Sequence, residues 1–338
     1  MGASFPDAGP GPQHAPVLYQ QVLSALEPRA GGHYIDGTLG GGGHARGILE
    51  AAGPDGELLG LDRDPHALVR AAASLAPFAQ RVHLRRATFA EMAIHASELE
   101  WARVDGILLD LGLSSMQLDD PARGFSFRFE APLDMRFDPD QRLTAGEIVN
   151  DWPEDELAEV LRDYGEQPGA ERVAQAIVGA RPIRTTTELA GVVVRAAGRS
   201  RSLRDASRSG VHPATQTFQA LRIAVNGELE ALERGLECVP GLLEAGGRLV
   251  VISFHSLEDR LVKRFLRREE RDCVCPPRQP VCTCGHRATM VVPVRRPIRP
   301  EAEEIRANPR SRSARMRFGE RLGAARSLHK RNRVGSSR

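Results

Sequence analysis

The chain has 338 residues, of which 41% are apolar and 27% charged. That is enough for a full core, and the length suits two domains or one domain with a large insertion. No apolar run approaches the ~20 residues that span a bilayer. Residues 1–13 are rich in Gly and Pro and lack the basic and apolar regions of an export signal, so they read as a disordered leader. With few cysteines and no such signal, the expected location is the cytoplasm. The net charge of +2 conceals an asymmetry: residues 295–338 hold 14 Lys/Arg against 4 Asp/Glu, a net of +10, which leaves −8 for the rest. A basic tail at 321–338 on an acidic body fits a polyanionic partner, nucleic acid first, or a solvated tail without one.

In chain order, Tyr34-Ile35 reads as a short buried strand, followed by Asp36 and the glycine-rich stretch Gly37-Thr-Leu-Gly-Gly-Gly-Gly-His44. A helix follows, with Ala45, Ile48, Leu49 and Ala52 on its apolar face and Gly53 at its end. Such a strand–turn–helix exposes backbone N–H groups to a ligand, although a glycine run alone is also compatible with an empty turn. Glu57–Asp62 reads as a second strand ending in an acid about 20 residues past the glycines, where dinucleotide-type folds place a carboxylate for a ribose diol. Pro65 starts a helix that runs to about Ala76. Val82–Leu84 is a third strand, and Val104–Leu111, apolar on both faces, is a fourth and central one. This alternation predicts a doubly wound α/β sheet.

From about Ser115 to His212 the alternation stops. A polar, aromatic loop with Phe125, Phe127 and Phe129 leads into helical patterns, with capping boxes expected at Asp151/Glu154 and Thr185/Glu188. Arg199–Arg208 is basic and Ser-rich. The spacing predicts one long helix from near Ala214, a fifth strand at 246–253, and a helix capped by Ser256 with Asp259. Thr289–Val294 and Ala314–Phe318 are expected to close the sheet as an antiparallel pair, giving seven strands with one reversed. The resulting divisions are a core at 14–115 and 213–320 and a helical insertion at 116–212.

A dinucleotide, a nucleoside triphosphate and S-adenosylmethionine compete for such a fold. There is no G-x-x-x-x-G-K-[ST], which disfavours a triphosphate. Small residues follow Asp36 at every second position (Thr38, Gly40, Gly42) and do not make the G-x-G-x-x-G pyrophosphate pattern. An acid at the strand end suits the cationic end of S-adenosylmethionine. The spacing therefore favours a methyltransferase over a dehydrogenase.

Eight segments sharpen this: His14–Leu18, Asp36–His44, Asp105–Ser115, Arg123–Phe127, Leu133–Arg136, His212–Arg222, Ile252–Arg260 and Asn308–Ala314. In this order, across about 14–320, they resemble the motifs of the RsmH (MraW) family. The resemblance implies a Rossmann-like class I S-adenosylmethionine-dependent methyltransferase fold with a seven-stranded, mostly parallel sheet and an inserted all-helical domain. It also implies N4-methylation of a cytidine in the decoding region of 16S ribosomal RNA of the small subunit. Carried over by motif, it implies cofactor contacts at Gly42, Gly43, His44, Asp62, Phe89, Asp110 and Gln117. Phe89 also suits simple packing under the sheet, and Gln117 could instead stabilise a loop. Gln216, Glu130-Ala131 and Ala45 depart from the family pattern.

Where many amino-methyltransferases carry Asp-Pro-Pro-Tyr, this chain has Asp110-Leu-Gly-Leu-Ser-Ser115. Asp110 is therefore a candidate acceptor for the N4 hydrogen or a cofactor ligand only. Ser114 and Ser115 could reach the base or cap the segment leaving the strand. His255, after the fifth strand, is a candidate RNA or base contact, and no nucleophile elbow supports a hydrolase. A phenylalanine of the loop could stack on a flipped base or pack the insertion onto the core. Cys273-Val-Cys275 and Cys282-Thr-Cys284 could hold a structural Zn²⁺ or form a reduced loop, and Cys238 falls in a helix with a buried pattern. Metal plays no part in the expected chemistry. An RNA-binding assembly factor with a vestigial methyltransferase fold is the alternative, opposed by the intact Asp36, Asp62 and Asp110. The oligomeric state, dimer included, is not legible.

Overall fold

A computed structural model describes residues 16–198, 212–279 and 281–323, except for the Ser115 side chain. The expected leader, the basic stretch at 199–208 and the tail from 324 lie outside the described residues. Strands β1 (His33–Asp36), β2 (Glu57–Asp62), β3 (Val82–Arg86), β4 (Val104–Asp110) and β5 (Leu243–Ser253) run parallel. Strand β6 (Met290–Val291) and the reversed β7 (Arg315–Arg321) complete the sheet in the order β3-β2-β1-β4-β5-β7-β6. Strand order turns back between β1 and β4. In an open parallel sheet that reversal leaves a crevice beyond the carboxyl ends of the two strands, so topology alone selects the ends of β1 and β4 as the ligand site.

The strand sequences sort residues onto two faces by their period of two. Ile35, Leu59, Ile107, Leu109 and Val251 share one buried cluster with α4 (Met92–Glu98), α11 (Glu228–Leu242) and α12 (Ser256–Glu269). Tyr34, Leu58, Leu108, Val250 and Ile252 share the other with α1 (Tyr19–Leu26), α2 (Gly43–Ala51) and α3 (Pro65–Ser74). After the short α5 (Ser115–Asp119), the helices α6 (Ala145–Asp151), α7 (Glu154–Asp163), α8 (Ala170–Val178), α9 (Thr186–Gly198) and α10 (Ala214–Asn226) enclose a separate core. Phe218, Leu221 and Val225 belong to that core, so the helical packing extends beyond residue 212.

The expected single helix from Ala214 is two helices, broken at Gly227, whose φ of 58° lies in the left-handed region that a side chain disfavours. The box at Thr185/Glu188 forms. The one expected at Asp151/Glu154 does not: Asp151 ends α6, and the capping residues there are Thr144 and Glu147, whose spacing before Ile148 carries the same signal. Helix α12 is not capped by Ser256. Glu258 reaches back to accept from the N–H groups of Phe254 and His255, while Ser256 Oγ donates to Glu166. Cys238 is half-buried, its thiol directed at the Gly235 carbonyl.

Asp259 is committed elsewhere. It accepts from Arg317 Nε at 2.7 Å and Nη2 at 3.2 Å, with Arg315 at 3.4 Å, and so locks α12 to the reversed strand. Arg317 is 8% exposed. Removing its partner strands a buried cation, so Asp259→Ala is expected to lower the unfolding free energy by roughly 3–5 kcal/mol. Urea denaturation checks this, and a loss below about 1 kcal/mol would show the pair to be dispensable.

Candidate active site

The glycine-rich turn is held by the strands it connects. Gly37 N–H donates to Leu108 O on β4 and Leu39 N–H to Leu61 O on β2, both at 2.9 Å. Thr38 Oγ1 accepts from Asp110 N–H at 2.6 Å, and Asp62 Oδ2 accepts from Gly40 N–H at 2.8 Å. Gly42 has φ 79° and donates to Leu39 O, and a Cβ there would lie 3.3 Å from Leu75. Gly43 opens α2 against Pro16. The turn is thus fixed by its hydrogen bonds to the neighbouring strands, while a Cβ at Gly40 would meet only the Thr38 carbonyl at 3.9 Å and one at Gly41 only the tip of Met116 at 3.3 Å.

Three carboxylates crown adjacent strands around this turn. Asp36 is 2% exposed. Burial pushes its carboxyl up to about 7; His44 and the Thr38 amide oppose the rise, and Asp110 and Asp62 add to it. Burial also raises Asp62, against the amides of Asp64 and Gly40. His44, on the first turn of α2, is buried with its Nε2 3.6 Å from Asp110 Oδ2. Neither His44 nitrogen nor Asp110 Oδ1 has a hydrogen-bond partner among the described residues. Buried polar atoms without partners are costly, and at the switch point of a parallel sheet they mark a place built for a polar ligand.

The segment leaving β4 folds back onto β2. Ser114 and Gln117 cap α5 reciprocally, each accepting from the other's N–H at 3.1 Å, so Ser114 takes the capping role. Gln117 Nε2 donates to Asp64 Oδ2 at 3.1 Å, and Arg123 Nη1 donates to the same oxygen at 3.0 Å. Burial pushes the Asp64 carboxyl up, but Gln117, Arg123 and the His66 N–H outweigh it and hold it below the usual range. Asp64 and Arg123 were not singled out as site residues in the sequence. Their signals were present, an acid before the helix-starting Pro65 and a basic residue opening Arg123-Gly-Phe, but the contact spans 59 positions. Ser115 starts α5, and its side chain lies outside the described residues. Phe89 is half-buried, its ring edge against Gly235 of α11 and its Cβ beside Gly37.

His255 is not bonded to Asp110. Its Nε2 lies 3.1 Å from Glu258 Oε1 without the alignment of a hydrogen bond, and Glu228 completes the group. Burial raises Glu258, but His255, Arg222 and the Phe254 N–H together hold it below the ordinary value. The insertion meets the core through this neighbourhood: Glu166 accepts from Arg260 at 2.6 Å, and Arg63 donates to Asn226 O at 2.7 Å. Gln216 donates to Glu166 O. A cavity of about 450 Å³ runs along the seam, lined by Arg63, Arg86, Glu91, Asp138 and Tyr164. Of the three loop phenylalanines, Phe125 is buried, Phe127 packs on His212 and Phe218, and Phe129 is 51% exposed.

Residues 11–322 match the model of the MraW methylase family. The chain belongs to that family. A ribosomal RNA small subunit methyltransferase H from Thermomicrobium roseum is 55% identical, over 91% of this chain and 94% of that protein. One of the same name from Symbiobacterium thermophilum is 51% identical, over 92% and 97%. Family membership makes S-adenosylmethionine the cofactor and methyl transfer the reaction class. The site fits: unpartnered Asp110 Oδ1 and His44 nitrogens, a buried acid and an open glycine edge stand together. No helix among the described residues is long and apolar enough to cross a membrane.

A cationic ligand favours ionised Asp36, whose carboxyl is pushed up to about 7 chiefly by burial, with Asp110 and Asp62 adding to the rise and His44 opposing it. In the free protein the raised value makes stability fall as pH rises from the ordinary 3.8 towards 7, and ligand charge offsets that loss. Cofactor affinity measured by calorimetry is therefore expected to rise from about pH 5.5 to about pH 7.5. Asp36→Asn should flatten the profile and weaken binding at the upper end. A flat wild-type profile would remove Asp36 from the binding account.

Proposed function

We propose that the protein methylates N4 of a cytidine in the decoding region of 16S ribosomal RNA, within the small ribosomal subunit or its precursor. The relatives' name supports the substrate class, and the observation that carries the chemistry is the buried, unpartnered Asp110 Oδ1 at the switch point. When bound, S-adenosylmethionine supplies an electrophilic methyl group on a sulfonium.

Residue by residue, Gly42, Gly43 and His44 would border the amino-acid portion at the turn and Asp62 the ribose, with Phe89 filling the floor beside Gly37. The Asp110 backbone is fixed by Thr38, which leaves its carboxylate free to accept an N–H hydrogen bond from the exocyclic amine. That bond strengthens as the nitrogen lone pair leaves conjugation with the ring, and so favours the transition state over the ground state. Gln117 acts through Asp64 and Ser114, holding the segment that carries Asp110 and Ser115. His255 borders the seam as a contact for the RNA. The base must leave its stack to reach this depth, and the exposed Phe129 offers an aromatic face on the insertion side.

The test is transfer of labelled methyl to small subunits from cells lacking the protein. Wild-type protein should label cytidine at N4. Asp110→Ala should lose about 10²-fold or more in rate while keeping measurable cofactor binding. Label on another nucleoside, or none with cofactor bound, would refute the proposal.

A further inference from the structure

The cysteine loop between α12 and β6 plays no part in the site described above, yet its four sulfurs converge. Cys273 Sγ lies 3.5 Å from Cys282 Sγ and 3.8 Å from Cys284 Sγ; Cys282 Sγ lies 4.0 Å from Cys275 Sγ and 3.6 Å from Cys284 Sγ. Four thiolates at ~2.3 Å from a tetrahedral Zn²⁺ are separated by about 3.8 Å, which is the spacing found. Two amides aim at the sulfurs in a crossed pattern: Val274 N–H donates to Cys284 Sγ and Thr283 N–H to Cys275 Sγ, both at 3.4 Å. Each comes from the residue between the cysteines of one pair and points to a sulfur of the other.

No apolar packing explains this convergence. Val274 is 40% exposed and Val281 69%. The base of the loop is pinned to α12 by the His286–Arg268 O contact at 3.0 Å and by Thr289 N–H to Glu269 O at 2.8 Å, and Gln279 ties the tip by donating to Val281 O and Thr283 Oγ1, but none of these contacts draws the four sulfurs together. We infer that Cys273, Cys275, Cys282 and Cys284 form a structural Zn²⁺ site. Binding deprotonates four thiols and releases their protons to solvent, leaving two negative charges in excess beside Arg271, Arg278 and Arg287 of the same segment. A four-iron cluster does not fit within sulfurs this close. Because β6 runs parallel to β5 and the loop precedes it, the site sits at the amino end of the sheet, opposite the glycine-rich turn. It therefore holds structure and does not touch the reaction.

The full chain, purified under reducing conditions without added metal, should carry about one Zn²⁺ per chain by elemental mass spectrometry. Replacement by Co²⁺ should give the visible bands of a tetrahedral thiolate site. The Cys275→Ser/Cys284→Ser protein should lose the metal and become cleavable by protease within 272–285, with cofactor affinity within about 2-fold of wild type, whereas Cys238→Ser should keep the metal. Metal content below about 0.1 per chain, iron in place of zinc, disulfides in the reduced preparation, or zinc surviving in the double variant would each overturn the assignment.

Discussion

The turn after β1 is stitched to its neighbours before any ligand arrives, and the active site depends on that stitching. Gly37 bonds to β4, Leu39 to β2, Thr38 to the amide of Asp110, and Gly40 to the carboxylate of Asp62. Three strand ends become one rigid rim. The carboxylates at those ends are held close, and burial with mutual repulsion leaves Asp36 near 7 in spite of His44. Preorganisation of this kind stores an unfavourable arrangement that a cationic ligand relieves.

The insertion is coupled to the rim by polar contacts as well as by packing. Asp64 receives Arg123 and Gln117 from the segment after β4, Arg63 donates to the Asn226 carbonyl, and Glu166 grips α12. The helices have their own core. Two cores joined by a polar seam can shift relative to one another without disturbing the packing of either.

Much of this was legible because sequence periodicity reports burial directly. Strand–helix alternation predicted the doubly wound sheet, and acids at strand ends beside a glycine run pointed to the rim at Asp36, Asp62 and Asp110. Local capping was less legible. Ser256/Asp259 and Asp151/Glu154 satisfy the box pattern, but Asp259 is taken by Arg317 from 58 residues away, and helix α6 already occupies Asp151. Gly227 broke a continuous helical pattern through backbone conformation, which periodicity does not register. Arg317 and Arg315 counted towards a basic C-terminal region, whereas the fold uses them inside the sheet. Long-range partners, Asp64 with Arg123 above all, exist only once the segments are brought together.

The most direct test of the central claim, that this rim delivers a methyl group to cytidine N4, is nucleoside mass mapping of small-subunit RNA from cells with and without the gene. The account predicts that one decoding-region cytidine loses the mass of a methyl group from N4 in the deletion strain. Wild-type protein should restore it and Asp110→Ala should not. An unchanged methylcytidine pattern in the deletion strain would contradict the account.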